Sequence, residues 1–437
     1  MSNRVLTFIK LSLDSAKHAF NFWKATMNTD TRNYALVTAA YWGFTLTDGA
    51  LRMLVLLHFY TLGYSAFEIA LLFVLYEVFG VITNLVGGWI GARLGLKVTL
   101  FAGLALQVAA LGALAAFDPA WPVIMGVAYV MGTQALSGIA KDLTKMSSKS
   151  AVKLLVPADA PGGEHGALFK WVAVLTGSKN ALKGVGFFLG GVLLAGFGFQ
   201  GALLAMAGAL AIVLLAAVIS LPGDLGQAKA KVKFTEVFSK SADINWLSAA
   251  RFFLFGSRDI WFVVGLPLFL AATLGWGNAE VGGYMAAWVI GYGFIQAAAP
   301  KMLKRSGEAP GGALSRLWIL ILAAVTAGIA LAVQFGVAPG LSVVVGLMVF
   351  GIVFAINSAV HSYLVLAYSK SQHVSMDVGF YYMANAGGRL AGTLISGLAY
   401  QWGGLVACLI LSLLFVLAAW ALSLPLPEVQ GDIAEPQ

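Results

Sequence analysis

Apolar residues in this chain come in long blocks, not at the three-and-four spacing of a soluble amphipathic helix. Blocks of roughly 20 residues suffice to cross the hydrocarbon of a bilayer. They fall near 34–60, 67–91, 98–117, 121–145, 168–197, 199–221, 246–274, 279–300, 314–335, 341–368, 377–400 and 404–424. The pattern predicts twelve transmembrane helices, here called spans 1 to 12. Polar positions are unevenly shared among them: spans 3, 6, 9 and 12 carry no charge beyond Arg316 at the inner end of span 9, whereas spans 1, 2, 4, 5, 7, 10 and 11 hold ionisable or strongly polar groups. A rhythm of three is expected when each half repeats a three-helix unit and every third helix faces lipid. The predicted fold class is an all-α integral membrane protein of two pseudo-symmetric six-helix bundles, 33–221 and 246–424, around a central cavity. Spans 1, 4, 7 and 10 would line that cavity and spans 2, 5, 8 and 11 would form its sides. An amphipathic segment 1–32, a linker 222–245 and a tail 425–437 would lie in the cytoplasm.

Span 5 breaks the apolar pattern most sharply. At 100° per residue, Thr176, Lys179, Asn180 and Lys183 share one helix face. Gly177, Gly184 and Gly191 flank that face on one side, and Gly186 and Gly190 on the other. Two glycine stripes predict close packing against helices on both flanks. A lysine at helix centre costs about 2.5–3.5 kcal/mol on insertion scales, so such residues face a wet interior or an ion-pair partner. The two readings are an anion-binding face and a structural ion pair, with Glu77 or Asp142 the nearest acids by topology.

The other spans supply a limited set of candidates. Span 1 holds Asp48 and Arg52 one turn apart, placed to pair with each other, and span 2 holds Glu77 near its middle. Span 7 holds Arg251, Arg258 and Asp259; span 10 holds Asn357 and His361; span 11 holds Asn385 and Arg389. Pairing Asp48 with Arg52 and Arg258 with Asp259 leaves Lys179, Lys183 and Arg389 without evident partners. Arginine suits bidentate binding of phosphate-like oxyanions. The expected substrate ligands are therefore Arg389, Lys183, Lys179, Asn180, Arg52, Arg258 and Asn385. Asp48, Glu77, Asp259 and His361 are the candidates for proton coupling, and His361 serves equally well as a structural hydrogen-bonder. The halves also echo each other: 44–48 resembles 254–259, and Asn180 with Lys183 on span 5 is mirrored by Asn385 with Arg389 on span 11.

Charge changes the picture by fixing topology. The chain carries a formal charge of +8, yet only 11% of its residues are charged and 60% are hydrophobic, against about 25% charged in soluble proteins. Of its 27 basic residues, 21 fall in tails, loops and span ends on one side, while the loops around Asp118 and Trp276 on the other hold none. By the positive-inside rule the termini are cytoplasmic. The excess charge is thereby explained by the membrane surface, and no nucleic-acid partner is expected. Lys141, Lys145, Lys149 and Lys153 form a stripe at the inner end of span 4, read either as anionic-lipid contact or as a funnel for anions. The single cysteine, Cys408, excludes an internal disulfide and a thiol metal site. No cofactor or metal is expected, and no nucleophile–base or paired-carboxylate constellation suggests an enzyme.

Two resemblances sharpen the expectation. Gly88 to Lys97, with Arg93 and Gly95, resembles the gating loop between helices 2 and 3 of the major facilitator superfamily, with Ala92 in place of the usual acidic residue. The runs Asn33–Arg52, Ser137–Met146 and Leu175–Phe188 resemble the ArsJ family of organoarsenical efflux permeases. That resemblance implies a bacterial inner-membrane exporter of 1-arseno-3-phosphoglycerate that confers arsenate resistance. It also implies glyceraldehyde-3-phosphate dehydrogenase as the functional partner that makes the ester. An organophosphate/phosphate antiporter, or a non-transporting sensor with a transporter fold, are the competing readings.

Overall fold

A computed structural model describes residues 29–152, 163–221, 241–303, 311–369 and 374–429, with side chains described for all of these except 29–31, 84–94, 146, 149–152, 163–177, 300–301, 303 and 374–376. In chain order, α1 (Thr29–Thr61) is span 1. Span 2 is α2 (Ala66–Leu72) followed by the first arm of α3 (Val74–Ala115), whose second arm is span 3. Span 4 is α4 (Val123–Val152), and α5 (Gly163–Ser220) supplies spans 5 and 6. Span 7 combines α6 (Ala242–Phe262), α7 (Gly265–Leu268) and a π-helical turn at Phe269–Thr273. Spans 8, 9 and 10 are α8 (Asn278–Leu303), α9 (Gly312–Gln334) and α10 (Pro339–Ala367). Spans 11 and 12 are the two arms of α11 (Val374–Leu422).

Among the described residues, eight stretches are long and apolar enough to cross a bilayer, and two of them, Ser178–Ser220 and Asp377–Leu422, are double length at 43 and 46 residues. Each of those turns back at a glycine of positive φ, Gly198 at 67° and Gly404 at 59°. A side chain there would meet the left-handed penalty. The two remaining crossings, α1 and α8, are 33 and 26 residues long. They owe their lower apolarity to residues that face the cavity: Asp48 and Arg52 in one, Tyr292 and Gln296 in the other. The described residues thus form the expected all-helical architecture, with no strand among them.

Interruptions occur where the sequence dictates them. Pro267 has no N–H to offer the carbonyl one turn back, so span 7 breaks at Val263–Val264. Ser396 on span 11 compensates: its hydroxyl accepts the N–H groups of Val264 and Gly265, each at 3.2 Å. Glu68 closes a capping box with Ser65 at the start of α2, which accounts for an acid at the outer end of span 2.

The glycine stripes of span 5 pack as expected, and they also reveal the internal symmetry. A Cβ at Gly186 or Gly190 would lie 2.6 or 2.4 Å from the carbonyl of Leu46 or Ala50 on span 1. In the other half, a Cβ at Gly388 or Gly392 would lie 2.0 or 2.6 Å from the carbonyl of Phe252 or Gly256 on span 7. Span 5 against span 1 therefore repeats as span 11 against span 7. The turn glycines Gly198 and Gly404 and the interface glycines Gly191 and Gly397 fix the register between the halves, which sets Gly186 opposite Gly392 and Lys183 opposite Arg389, as the sequence echo suggested.

The second stripe joins the two halves. Gly184 and Gly191 face span 8, where added Cβ atoms would lie 2.9 Å from the Ala286 carbonyl and 2.3 Å from the Asn278 carbonyl. Gly397 on span 11 meets Ala66 and Ala70 on span 2 in the same way. Beneath these seams Trp261, Phe262, Trp288 and Phe350 form a buried aromatic layer, with Trp261 5.5 Å from Trp288 and 5.0 Å from Phe350 between ring centroids. Phe187 of span 5 adjoins Phe262 at 6.3 Å, so the layer closes one end of the central space across the interface.

Candidate functional site

A cavity of about 280 Å³ lies between the halves. Among the described residues its lining comes from spans 1, 2, 4, 5, 7, 8, 10 and 11, and none comes from 3, 6, 9 or 12. The rhythm of three read from the sequence is the distinction between cavity-facing and outer helices. The cavity runs from Val263 and Trp288 against the aromatic layer to Lys145, Ser148, Ser362 and Tyr382 near the opposite end of the spans. Its walls carry eight cationic side chains (Arg52, Lys141, Lys145, Lys179, Lys183, Arg251, Arg258 and Arg389) and four carboxylates (Asp48, Glu77, Asp142 and Asp259). Among the described lining residues the cations outnumber the carboxylates by four, and low-dielectric walls concentrate the resulting attraction for anions.

Five of these groups form a continuous ionic chain across the deep end. Arg52 Nη2 donates to Glu77 Oε1 at 3.1 Å, and Arg389 Nη2 donates to the same oxygen at 2.6 Å. Arg389 Nε reaches Asp259 Oδ2 at 3.2 Å, and Arg258 Nε donates to Asp259 Oδ1 at 2.6 Å. Plus and minus alternate from span 1 through spans 2 and 11 to span 7. The link between Glu77 and Arg389 crosses from one half to the other. An arginine stands at each end of the chain, Arg52 on span 1 and Arg258 on span 7.

This arrangement corrects three pairings expected from sequence. Arg52 binds Glu77, and Asp48 instead accepts the Tyr76 hydroxyl at 2.7 Å. Arg389, expected to lack a partner, bridges two carboxylates. Glu77 is therefore taken by arginines and forms no salt bridge to Lys179 or Lys183, and Asp142 is bonded to Thr83 and Lys145. The Arg258–Asp259 pair is found as expected.

The remaining candidates divide clearly. Asn180 donates to Gln296 across the interface at 3.4 Å. Asn385 accepts from Arg251 Nε at 3.0 Å. Lys179 and Lys183 both line the cavity. His361 does not: it is fully buried between spans 9 and 10, with Nε2 3.0 Å from the Ser315 hydroxyl, the structural role that sequence reading left open. Gly88 and Arg93 fall outside the described side chains. Gly95 breaks α3 with φ of 76°, and Lys97 donates to the Leu221 carbonyl at 3.1 Å, where span 6 ends.

Sequence reasoning gave no role to Tyr76, Tyr292 or Gln296. Tyr76 adjoins Glu77 in sequence and so points to a different face of span 2. Its partner on span 1 is visible only when the helices are assembled.

Twelve crossings in two related bundles around a charged central cavity define the class of this protein, a multi-pass membrane transporter. The chain belongs to the Major Facilitator Superfamily, whose pattern matches residues 34–333. Solved structures share the fold. A POT family transporter in complex with 5-aminolevulinic acid superimposes with a TM-score of 0.70 at 13% identity, over 89% of this chain and 94% of its own. A nucleoside transporter gives 0.65 at 15% identity over 90% and 98%. A bacterial homologue of the iron transporter ferroportin, in an inward-facing state, gives 0.62 at 15% identity over 91% and 98%. No curated protein matches the sequence.

Proposed function

We propose that this transporter exports a small polyanionic organoarsenical, 1-arseno-3-phosphoglycerate, by alternating access across a bacterial inner membrane, with both termini cytoplasmic, and so confers arsenate resistance. The observation that carries this reading is the cavity's excess of four cationic side chains over carboxylates. A neutral or cationic substrate has no use for that excess. The resemblance of Asn33–Arg52, Ser137–Met146 and Leu175–Phe188 to the ArsJ permeases names the anion, and glyceraldehyde-3-phosphate dehydrogenase is the partner that would supply it. The glycine seams along spans 5 and 11 suit helices that slide or separate during transport.

Everted membrane vesicles containing the protein test this directly. With arsenate, glyceraldehyde 3-phosphate and the dehydrogenase supplied together, arsenic is expected to accumulate inside. Omission of the dehydrogenase is expected to abolish uptake, and uptake that persists without it removes the ester as substrate. Phosphate counterflow in the same vesicles would favour an organophosphate antiporter instead.

Lys183 is the ligand most exposed to a simple test. Among the described residues it forms no salt bridge, and its only close partner is the Phe187 ring, with Nζ 5.7 Å from the centroid. Lys183→Ala is expected to lower transport by about 10- to 150-fold, the value of one charge-assisted hydrogen bond. The thermal midpoint of the purified protein should stay unchanged. Normal uptake by this variant would remove Lys183 from the substrate site.

A further inference from the structure

Four carboxylates line the cavity, and they differ in what holds them. Glu77 receives Arg52 and Arg389, and Asp259 receives Arg258 and Arg389. Asp142 meets Thr83 and Lys145. Asp48 is only 8% exposed, yet it forms no salt bridge among the described residues. Its partner is neutral: the Tyr76 hydroxyl donates to Oδ1 at 2.7 Å. Protonating Glu77 or Asp259 would strip two arginines of a counter-charge, which is costly in a membrane interior. Asp48 can exchange a proton on Oδ2 with its phenol bond left in place.

The internal repeat identifies a meeting left open beside Asp48. Lys183 stands opposite Arg389, and the carbonyls met by Gly186 and Gly392 are those of Leu46 and Gly256, which sets Gly49 opposite Asp259. In the C-terminal half this meeting is an ion pair, with Arg389 Nε 3.2 Å from Asp259 Oδ2. In the N-terminal half span 5 approaches span 1 at the same place, and a Cβ at Gly49 would lie 2.7 Å from the Lys183 carbonyl. The acid there is one residue away, at Asp48, and no salt bridge closes. Both side chains instead line the cavity, with Lys183 in the electrostatic field of Asp48.

The other titratable groups around Asp48 come from five helices. Span 1 itself supplies Tyr41 and Arg52, and span 2 supplies Tyr76 and Glu77. Span 4 supplies Lys141 and Asp142, span 5 Lys179 and Lys183, and span 11 Arg389. Spans 3 and 6 pack on span 1 with no titratable residue in 98–117 or 199–221. Arg52, Glu77 and Arg389 belong to the ionic chain. Lys141 Nζ lies 4.0 Å from the ring centroid of Tyr76, the partner of Asp48. Asp48 is thus a carboxyl set among lysines, and an oxyanion bound to those lysines brings a like charge beside it.

We infer that Asp48 is the proton-binding residue of this transporter and takes up one proton when an oxyanion binds at Lys183, so that anion and proton occupy the cavity together. Resting on the reading of the cavity as an anion site, the assignment adds to the proposed function the ion that accompanies the substrate. The proton comes from solvent and goes to Oδ2. The Tyr76 bond to Oδ1 stays, and no other bond changes. Substrate and proton then move as one load, with one negative charge fewer per cycle.

The purified full chain in lipid nanodiscs tests this by titration calorimetry with sulfate, a tetrahedral oxyanion whose charge stays fixed across about pH 5 to 8. Each titration is run in two buffers of different ionisation enthalpy, which counts the protons taken up. The bound state holds the extra proton, so affinity should rise as pH falls. The rise should reach at most about tenfold per pH unit, with uptake approaching about one proton per sulfate. Asp48→Asn stays neutral and keeps an acceptor for Tyr76. It should bind sulfate without proton uptake and with an affinity constant within about twofold across the same range. Lys183→Arg carries a cation that does not titrate, so uptake should persist in it. The assignment is overturned by sulfate binding without proton uptake in wild type, by uptake that survives in Asp48→Asn, or by binding without uptake in Lys183→Arg. Each of those results leaves the anion site standing. Sulfate that fails to bind wild type at any pH overturns both. Absence of arsenic uptake in vesicles, with coupled sulfate and proton binding intact, would remove only the arsenical.

Discussion

Glu77→Gln is expected to destabilise the protein by about 3–5 kcal/mol, the cost of removing one partner from a buried ion pair, and to stop transport. Glu77 is 1% exposed, and a single oxygen, Oε1, receives both Arg52 and Arg389. Glutamine keeps the shape and an acceptor but leaves two guanidinium groups facing each other with only Asp259 to neutralise one of them. The link to Arg389 is also an ionic tie between halves, so its loss weakens the closed packing of span 2 against span 11. A cycle of Glu77→Gln, Arg389→Gln and the double variant checks this by denaturant titration in lipid. The double variant should lose less than the sum of the singles. Additivity within about 0.5 kcal/mol would show that the two residues act independently.

Gly191→Val and Gly190→Val should fail in different ways, although the residues are adjacent. At Gly190 a Cβ would lie 2.4 Å from the Ala50 carbonyl, within one bundle. Overpacking there costs about 1–3 kcal/mol or more in every conformation, and the expected result is loss of folded protein. At Gly191 the Cβ would lie 2.3 Å from the Asn278 carbonyl, across the interface between halves. That clash is relieved when the halves part, so Gly191→Val should fold and favour the conformation opened at the aromatic layer. An impermeant maleimide reads this at Phe187→Cys, since Phe187 is 1% exposed and the native Cys408 is fully buried. The cysteine should label in the Gly191→Val background and stay protected without it. Protection in both backgrounds would mean that this seam does not gate the cavity.

Much of the architecture could be read along the chain because a bilayer demands so much of each segment. Span length, the breaks near residues 198 and 404, and the lack of charge in spans 3, 6, 12 and, beyond Arg316, 9 all follow from the need to bury apolar length and keep charge away from lipid. The glycine stripes of span 5 were legible for the same reason. Their period requires two close neighbours, and span 1 and span 8 are those neighbours. The candidate site was legible as an inventory: all seven expected substrate ligands lie in the cavity wall.

The pairings were not legible. Asp48 and Arg52 share a helix face and invite each other, but Arg52 reaches Glu77 on span 2 and Asp48 takes the Tyr76 hydroxyl. Arg389 and Asp259 lie 130 residues apart and meet only because Gly388 and Gly392 seat span 11 directly on span 7.

By itself the sequence determined which residues enter the membrane, which helices face lipid, and that the interior would be rich in cations. Those outcomes rest on solvation, which acts on each segment separately. Only the tertiary structure decided which cations are neutralised. Among the described residues Arg389 found two carboxylates while Arg251 and Lys183 form no salt bridge, and a charge's partner depends on the helices that approach it, which the glycine contacts fix.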